Sequence, residues 1–279
     1  DRDEIGRDGN FEIYVMNADG SEAVRVTQRV ARDIEPTWSR DGATIYYVSW
    51  VEGNPDVFRM NLDGSEQEAM TGSGATDISP TASLSYQAQS GRPIAYHSKQ
   101  GDSLGEVRIW RMNADGTQNI QLTTTEDSTD SDASPQWSPD GAKILFDSMR
   151  DGDLEVYVMD ADGANQTNQS NSPETADGFP SWTHEGARIV FQSDRNGADD
   201  GDNDNEIFIM NANGTIPVQL TDNDAEDSIP RISPNGTKIM FISERDKNHE
   251  IYVMDMDGSN QVNLSNTLED EISANWSPD

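Results

Sequence analysis

The chain has 279 residues and no cysteine. That absence excludes a disulfide framework and any zinc site built on thiolates. It leaves the compartment open. Basic residues are scarce: 19 Lys and Arg, only four of them lysine, stand against 52 Asp and Glu, for a net charge of −33. Such a surface repels phosphate backbones and anionic lipid, so nucleic acid and membrane surfaces are excluded as expected partners. Cations, basic proteins and neutral glycans remain, beside the plainer reading of a solubilising or salt-adapted surface. No apolar run approaches the roughly 18 residues that cross a bilayer. No leader sequence is visible and the first residue is Asp1, consistent with a mature or excised form. No stretch combines helical periodicity with caps.

What is present repeats. Asp-Gly or Asn-Gly pairs recur at Asp19, Asp63, Asp115, Asp162, Asn213 and Asp257, at spacings of 44, 52, 47, 51 and 44 residues. A second anchor, Pro-x-Trp-Ser, recurs at Pro36, Pro80, Pro135, Pro180 and Pro230, with Ala274 in the sixth copy. Ala82 and Ile232 replace its tryptophan in two copies, as packing variants. Within a unit the runs alternate with period two. Ile144 and Phe146 point one way, Val156 and Val158 share a face, and Tyr157 and Met159 take the other. Bulk on both faces fits a sheet sandwiched between neighbours. Asx-Gly pairs sit where tight hairpins need positive φ. A period in the forties with four short runs per unit is the signature of a propeller blade.

The runs DASPQWSPDGAKILFDSMRDGDLEVYVMDADG and DSIPRISPNGTKIMFISERDKNHEIYVMDMDGSNQVNLS carry a resemblance over essentially the whole chain. They resemble the TolB-like (PD40, WD40-like) repeat. The resemblance implies an all-β, six-bladed β-propeller of four-stranded blades, with residues 1–279 as a single domain. It does not imply TolB's activity, because such repeats scaffold many binding proteins and peptidases. The C-terminus stops one innermost strand into a repeat. The N-terminus begins just after a second strand and supplies a third and fourth, Glu12 to Met16 and Val24 to Thr27. Both termini are therefore expected to share one closing blade that lacks its second strand.

The Asx-Gly turns all lie on one face of such a ring. The long acidic segments, Thr123 to Asp132, Arg195 to Asn205, Asp222 to Asp227 and Leu268 to Glu271, lie on the other, where irregular loops on a rigid scaffold usually bind. An acid stands three residues before each Pro or its equivalent: Asp33, Asp77, Asp132, Asp177, Asp227 and Glu271. These six are the candidate ligand-binding residues, expected as a ring at the channel mouth. Either they attract a cation or a basic segment, or each caps its own turn. Asp200, Asp202, Asp204 and Glu206 alternate in a flexible loop, as hard oxygen ligands for Ca²⁺ do, so Ca²⁺ is the one candidate cofactor; a solvated acidic loop is the alternative. The acids before each third strand (Glu12, Asp56, Glu155, Glu206, Glu250) are expected to pair with the recurring Arg7, Arg150, Arg195 and Arg245. Trp38, Trp137, Trp182 and Trp276 share one repeat position and read as core. Trp50 and Trp110 break the pattern.

Enzyme signals are thin. His97, His184 and His249 fall at unrelated repeat positions, and no nucleophile elbow, zincin motif or phosphate loop is present. The expectation is a non-catalytic periplasmic or extracellular module that binds a protein or peptide on the acidic loop face. The alternatives are a carbohydrate-active hydrolase or lyase, with carbohydrate as ligand, and a propeller scaffold of a larger cell-surface protein.

Overall fold

The computed structural model describes residues 10–51, 53–72, 74–85, 93–99, 107–124, 130–195 and 204–278. They form an all-β ring. Each Ile-x-Phe-x-Ser run becomes a strand paired on both edges, and each sheet runs outward in chain order. In the third four-stranded sheet, β11 (Asp132–Trp137) pairs with β12 (Lys143–Ser148), β12 with β13 (Glu155–Asp160), and β13 with β14 (Thr167–Asn168), all antiparallel. The same order is built by β3 to β6 (Asp33–Trp38, Thr44–Ser49, Asp56–Asn61, Glu68–Ala69) and by β7 to β10 (Thr76–Ala82, Ile94–Lys99, Val107–Met112, Ile120–Gln121). It recurs in β15 to β18 (Asp177–Trp182, Arg188–Ser193, Glu206–Asn211, Val218–Gln219) and in β19 to β22 (Asp227–Ile232, Lys238–Ser243, Glu250–Asp255, Val262–Asn263).

Among the described residues there are five four-stranded blades, not the six expected from the repeats. The remaining sheet has two strands, β1 (Tyr14–Val15) and β2 (Val24–Arg25). Both are shorter than the runs that suggested them. The reason is in the pairing: β1 has a partner on its outer side only, so nothing holds its inner edge extended.

The core lies between blades. Ile144, Phe146, Tyr157 and Met159 pack with Trp137 against Ala95 and Ile109 of the preceding blade. From the other face, Leu145, Val156 and Val158 pack against Trp182, Ile189 and Phe191 of the next. Of the tryptophans at the repeat position, Trp137 and Trp182 are buried core, while Trp38 and Trp276, like Trp50 and Trp110, are half-buried. The outer rims also stack. A β-carbon on Gly163, at φ 91°, would meet the Leu122 carbonyl of the preceding blade, so only glycine lets that turn dock.

Inside the third, fourth and fifth blades, the aspartate that opens the innermost strand meets the arginine that follows the second strand. Arg150 Nη2 donates to Asp132 at 2.7 Å, Arg195 Nη2 to Asp177 at 2.6 Å and Arg245 Nη2 to Asp227 at 2.7 Å. Each guanidinium lies over two aromatic rings of its own blade, 4.8 Å from Tyr157 and 5.5 Å from Phe146 for Arg150. Its Nε donates to the last serine of the second strand, 2.8 Å for Ser148. This corrects the pairing expected from sequence for Arg150, Arg195 and Arg245; Arg7 lies outside the described residues, and Glu12 pairs with Arg25. The acids before the third strands serve another purpose: Glu155 accepts the Ser172 amide (2.8 Å) and the Ser170 hydroxyl, and Glu250 the Thr267 amide (2.9 Å) and the Ser265 hydroxyl.

Asp177 is fully buried, so removing its cation leaves a charge in an apolar enclosure. Arg195→Ala is expected to cost about 3–5 kcal/mol of unfolding free energy, and adding Asp177→Asn recovers much of that loss. Arg59→Ala, which breaks the exposed pair with Glu68, costs about 0.2–1 kcal/mol. Urea unfolding of the three variants checks this.

Candidate functional site: the central cavity

The innermost strands present alternate residues to the axis. In Pro-x-Trp the tryptophan packs between blades, and x faces inward. The x positions Thr37, Thr81, Gln136, Ser181 and Arg231, with Asn275 of the C-terminal segment, line a central cavity of about 570 Å³. Pro139, His184 and Pro234, from the turns after the innermost strands, line it too. The cavity therefore reaches the face of the tight turns.

One residue before each Pro, the innermost strand bulges. The register shifts lie between Ile34 and Thr37, Ile78 and Thr81, Ala133 and Gln136, Gly178 and Ser181, and Ser228 and Arg231. The bulged residues Glu35, Ser79, Ser134, Phe179 and Ile229 have φ of 49–54°, a region that costs energy for any side chain and most for a β-branched one. A bulge also turns its N–H out of the ladder, and a buried donor needs an acceptor. The preceding blade supplies it. Ser134 N donates to His97 Nδ1 (3.3 Å), Phe179 N to Asp147 Oδ1 (3.0 Å) and Ile229 N to Gln192 Oε1 (3.1 Å). Ser79 N donates to Glu35 Oε2 (2.6 Å), and Glu35 N to Ser273 Oγ (3.2 Å).

This belt carries the unusual electrostatics of the protein. Burial pushes the Asp147 carboxyl up to about 7, against the Phe179 amide and the Ser134 hydroxyl, which favour its charged form. Burial also raises Glu35, with the Ser79 amide and hydroxyl opposing. Arg231 keeps part of its surface open to the cavity, yet desolvation lowers it to about 10, with Asp147 and Glu35 as the compensating charges. His97 is driven down to about 4 by burial, so it is neutral at ordinary pH and free to accept the Ser134 amide. The arrangement offers hydroxyls, amides and one compensated guanidinium to a ligand.

The expected ring of carboxylates takes a different place. Asp33, Asp77, Asp132, Asp177 and Asp227 are all buried inside their own blades rather than around the channel mouth, because each lies in the first two residues of an innermost strand, paired with the last serine of the second. Asp33 and Asp77 are raised by burial, and Val51 stands where Arg150 stands in the third blade. Glu271 is half-buried at the C-terminal segment. Of the Ca²⁺ candidates, Asp200 and Asp202 lie outside the described residues. Glu206 opens β17, accepts the Asn223 amide at 2.7 Å, and is pushed up to about 7 by burial; Asp204 precedes it. Among the described residues, no three His, Cys, Asp or Glu side chains converge as a metal site. Much of the acidic loop face, residues 125–129 and 196–203, is outside the description.

The belt was missed from sequence. Its signal is the residue before the serine that closes the second-strand run: Val48 and Ile242 in two blades, but His97, Asp147 and Gln192 in the others. A polar residue inside an apolar run marks it.

A family model described as TolB beta propeller domain (PD40) matches residues 4–133 and 126–200. An uncharacterised protein of Agrobacterium fabrum is 31% identical over 154 residues, 51% of this chain and 50% of its own length. The chain thus spans about half the length of that curated relative. Among solved structures, a protein described as a TolB from Agrobacterium tumefaciens superposes with a TM-score of 0.78 at 24% identity, covering 96% of this chain and 94% of that one. TolB from Acinetobacter baumannii gives 0.75 at 20% identity, covering 90% and 59%. At these identities the structural likeness shows the fold.

The histidine gives a pH test. Its folded value of about 4 lies below the ordinary 6.5, so protonation favours the unfolded chain, and stability is lost as pH falls from about 6.5 towards 4. His97→Gln copies the natural Gln192 and removes that proton. Its stability relative to wild type is expected to rise by roughly 3 kcal/mol between pH 7 and pH 4. Asp147 acts in the opposite sense, losing stability as pH rises through 7, and is common to both proteins. Urea unfolding at the two pH values checks the difference.

Proposed function

The chain belongs to the TolB β-propeller family, and we propose that it is a non-catalytic binding module that receives a protein or peptide segment at its central cavity. The observation that carries this is the cavity itself, about 570 Å³, walled by polar side chains on a bonded, rigid belt and open at the face of the tight turns. Preorganised donors and acceptors in a concavity suit recognition. The four tryptophans at its rim add apolar contact. In this reading the mouth of the tight turns, rather than the acidic loop face, is the primary docking surface. The high negative charge then acts at longer range, speeding the approach of basic partners.

The same reading makes the ring six-membered, with β1, β2 and the segment from Glu271 to Pro278 as its sixth unit. Support comes from contacts on both sides. Trp276 Nε1 donates to the Arg231 carbonyl (3.2 Å) of the fifth blade, and Asn275 Nδ2 to Thr37 Oγ1 (3.4 Å) of the first. Gly20 docks under the Leu264 carbonyl and Gly64 under that of Val26, as Gly163 does under Leu122. Among the described residues, no helix is long and apolar enough to cross a membrane. The likeness to TolB is what supports a periplasmic or extracellular site of action.

Peptides selected from a displayed library on the wild-type protein test the choice of face. They are expected to lose at least about tenfold affinity, roughly 1.4 kcal/mol, on Gln136→Trp, which fills the cavity. Asp224→Ala on the exposed loop face is expected to leave them unchanged. The reverse pattern would move the site to the loops.

A further inference from the structure

The central cavity differs in charge from the rest of the protein. The chain carries a net charge of −33. Yet among the described residues that line the cavity, the permanently charged side chains are Arg40, Arg231 and a single acid, Asp140. Asp140 is committed to its own turn: its Oδ1 accepts the Ser138 hydroxyl (2.6 Å) and the Ala142 amide (3.0 Å). Arg40 and the exposed His184 belong to the tight turns at the mouth. Arg231 stands on the innermost strand β19, at the inward-facing position that is neutral in the other four blades.

Arg231 also has donors to spare. Arg150, Arg195 and Arg245 each reach a buried aspartate. The half-buried Arg231 side chain makes one hydrogen bond among the described residues, from Nη1 to the carbonyl of its neighbour Pro230 at 2.9 Å, and no ion pair. Asp147 and Glu35 compensate its charge through space. Their oxygens face the belt instead, where Asp147 Oδ1 accepts the Phe179 amide and Glu35 Oε2 the Ser79 amide. A guanidinium offers five N–H donors in a planar fork, and a desolvated charge is costly until it is paired. The lowering of Arg231 by desolvation reports that cost.

We propose that the cavity recognises a carboxylate of the bound peptide, which Arg231 takes between two of its unused N–H donors while Thr37, Gln136 and Ser181 bond the polar groups beside it. The inference rests on the cavity being the peptide site and names the group that the site selects. A carboxylate meets a guanidinium in two parallel charge-assisted hydrogen bonds, a fit that a neutral amide does not reproduce. The acidic exterior adds a second condition. It repels a carboxylate carried on an acidic segment and admits one carried on a neutral or basic segment. The carboxylate is a C-terminus or an Asp or Glu side chain; both present the same pair of oxygens.

The test uses two synthetic random-peptide arrays anchored through the N-terminus, one ending in a free carboxylate and one in an amide. Binders confined to the free-acid array are expected if the group is a C-terminus; binders on both arrays that share an Asp or Glu are expected if it is a side chain. The best binder is then titrated by calorimetry beside its neutralised twin, the C-terminal amide or the Asn or Gln analogue. Neutralisation is expected to weaken binding at least about tenfold. On the Arg231→Gln protein the acid and its twin are expected to bind alike, a comparison that cancels any general effect of the substitution on the cavity. Binders that lose nothing on neutralisation, or an acid preference that persists on Arg231→Gln, overturn the proposal. If such binders are still lost on Gln136→Trp, the cavity remains the peptide site and the carboxylate rule alone falls. Binders indifferent to Gln136→Trp, or an absence of binders on both arrays, remove the two together.

Discussion

Each blade carries large apolar side chains on both faces, so no blade can bury its own surface. Phe146, which packs on Tyr157 of its own blade and is enclosed by Ala95 and Ile109 of the one before, and Leu145, enclosed from the other side by the next blade, are fully buried with the neighbours in place. Burial of such side chains contributes about 1.5–3 kcal/mol each. A sheet sandwiched this way is stable when both its neighbours are in place, which makes closure the governing constraint.

Closure accounts for the central belt. Stacking the blades brings the bulge of one innermost strand against the second strand of the blade before it. The outturned N–H then needs an acceptor from that neighbour, which His97, Asp147 and Gln192 provide. The energetically unfavourable φ of Phe179 and Ile229 is held by those bonds. The same bonds fix the polar wall of the cavity, so the device that locks blade to blade also prepares the surface that we read as the binding site.

The aspartate and arginine of each repeat show how a regular pattern can be assigned the wrong geometry. Six acids at one repeat position suggested a ring around the channel. In three dimensions the position is the first residue of an innermost strand, beside the serine that ends the second, and its side chain turns into the blade. The arginine lies over the two aromatic rings and reaches the buried carboxylate in the third, fourth and fifth blades. The acid before the third strand, five residues from the arginine in the third and fifth blades where the aspartate is eighteen away, faces the loop after the fourth strand instead. Distance along the chain was a poor guide because strand pairing sets which residues meet.

The sequence by itself determined the all-β class, the repeat boundaries and the blade core, because alternation, Asx-Gly turns and repeat length are local and recur. It also placed the third and fourth strands of the N-terminal unit near Tyr14 and Val24. Only the tertiary structure decided which acid meets which arginine, that the enclosed cavity opens on the tight-turn face, and that His97, Asp147 and Gln192 reach the neighbouring blade. Those are contacts between residues 18 to 37 positions apart, set by how sheets stack rather than by what each strand prefers.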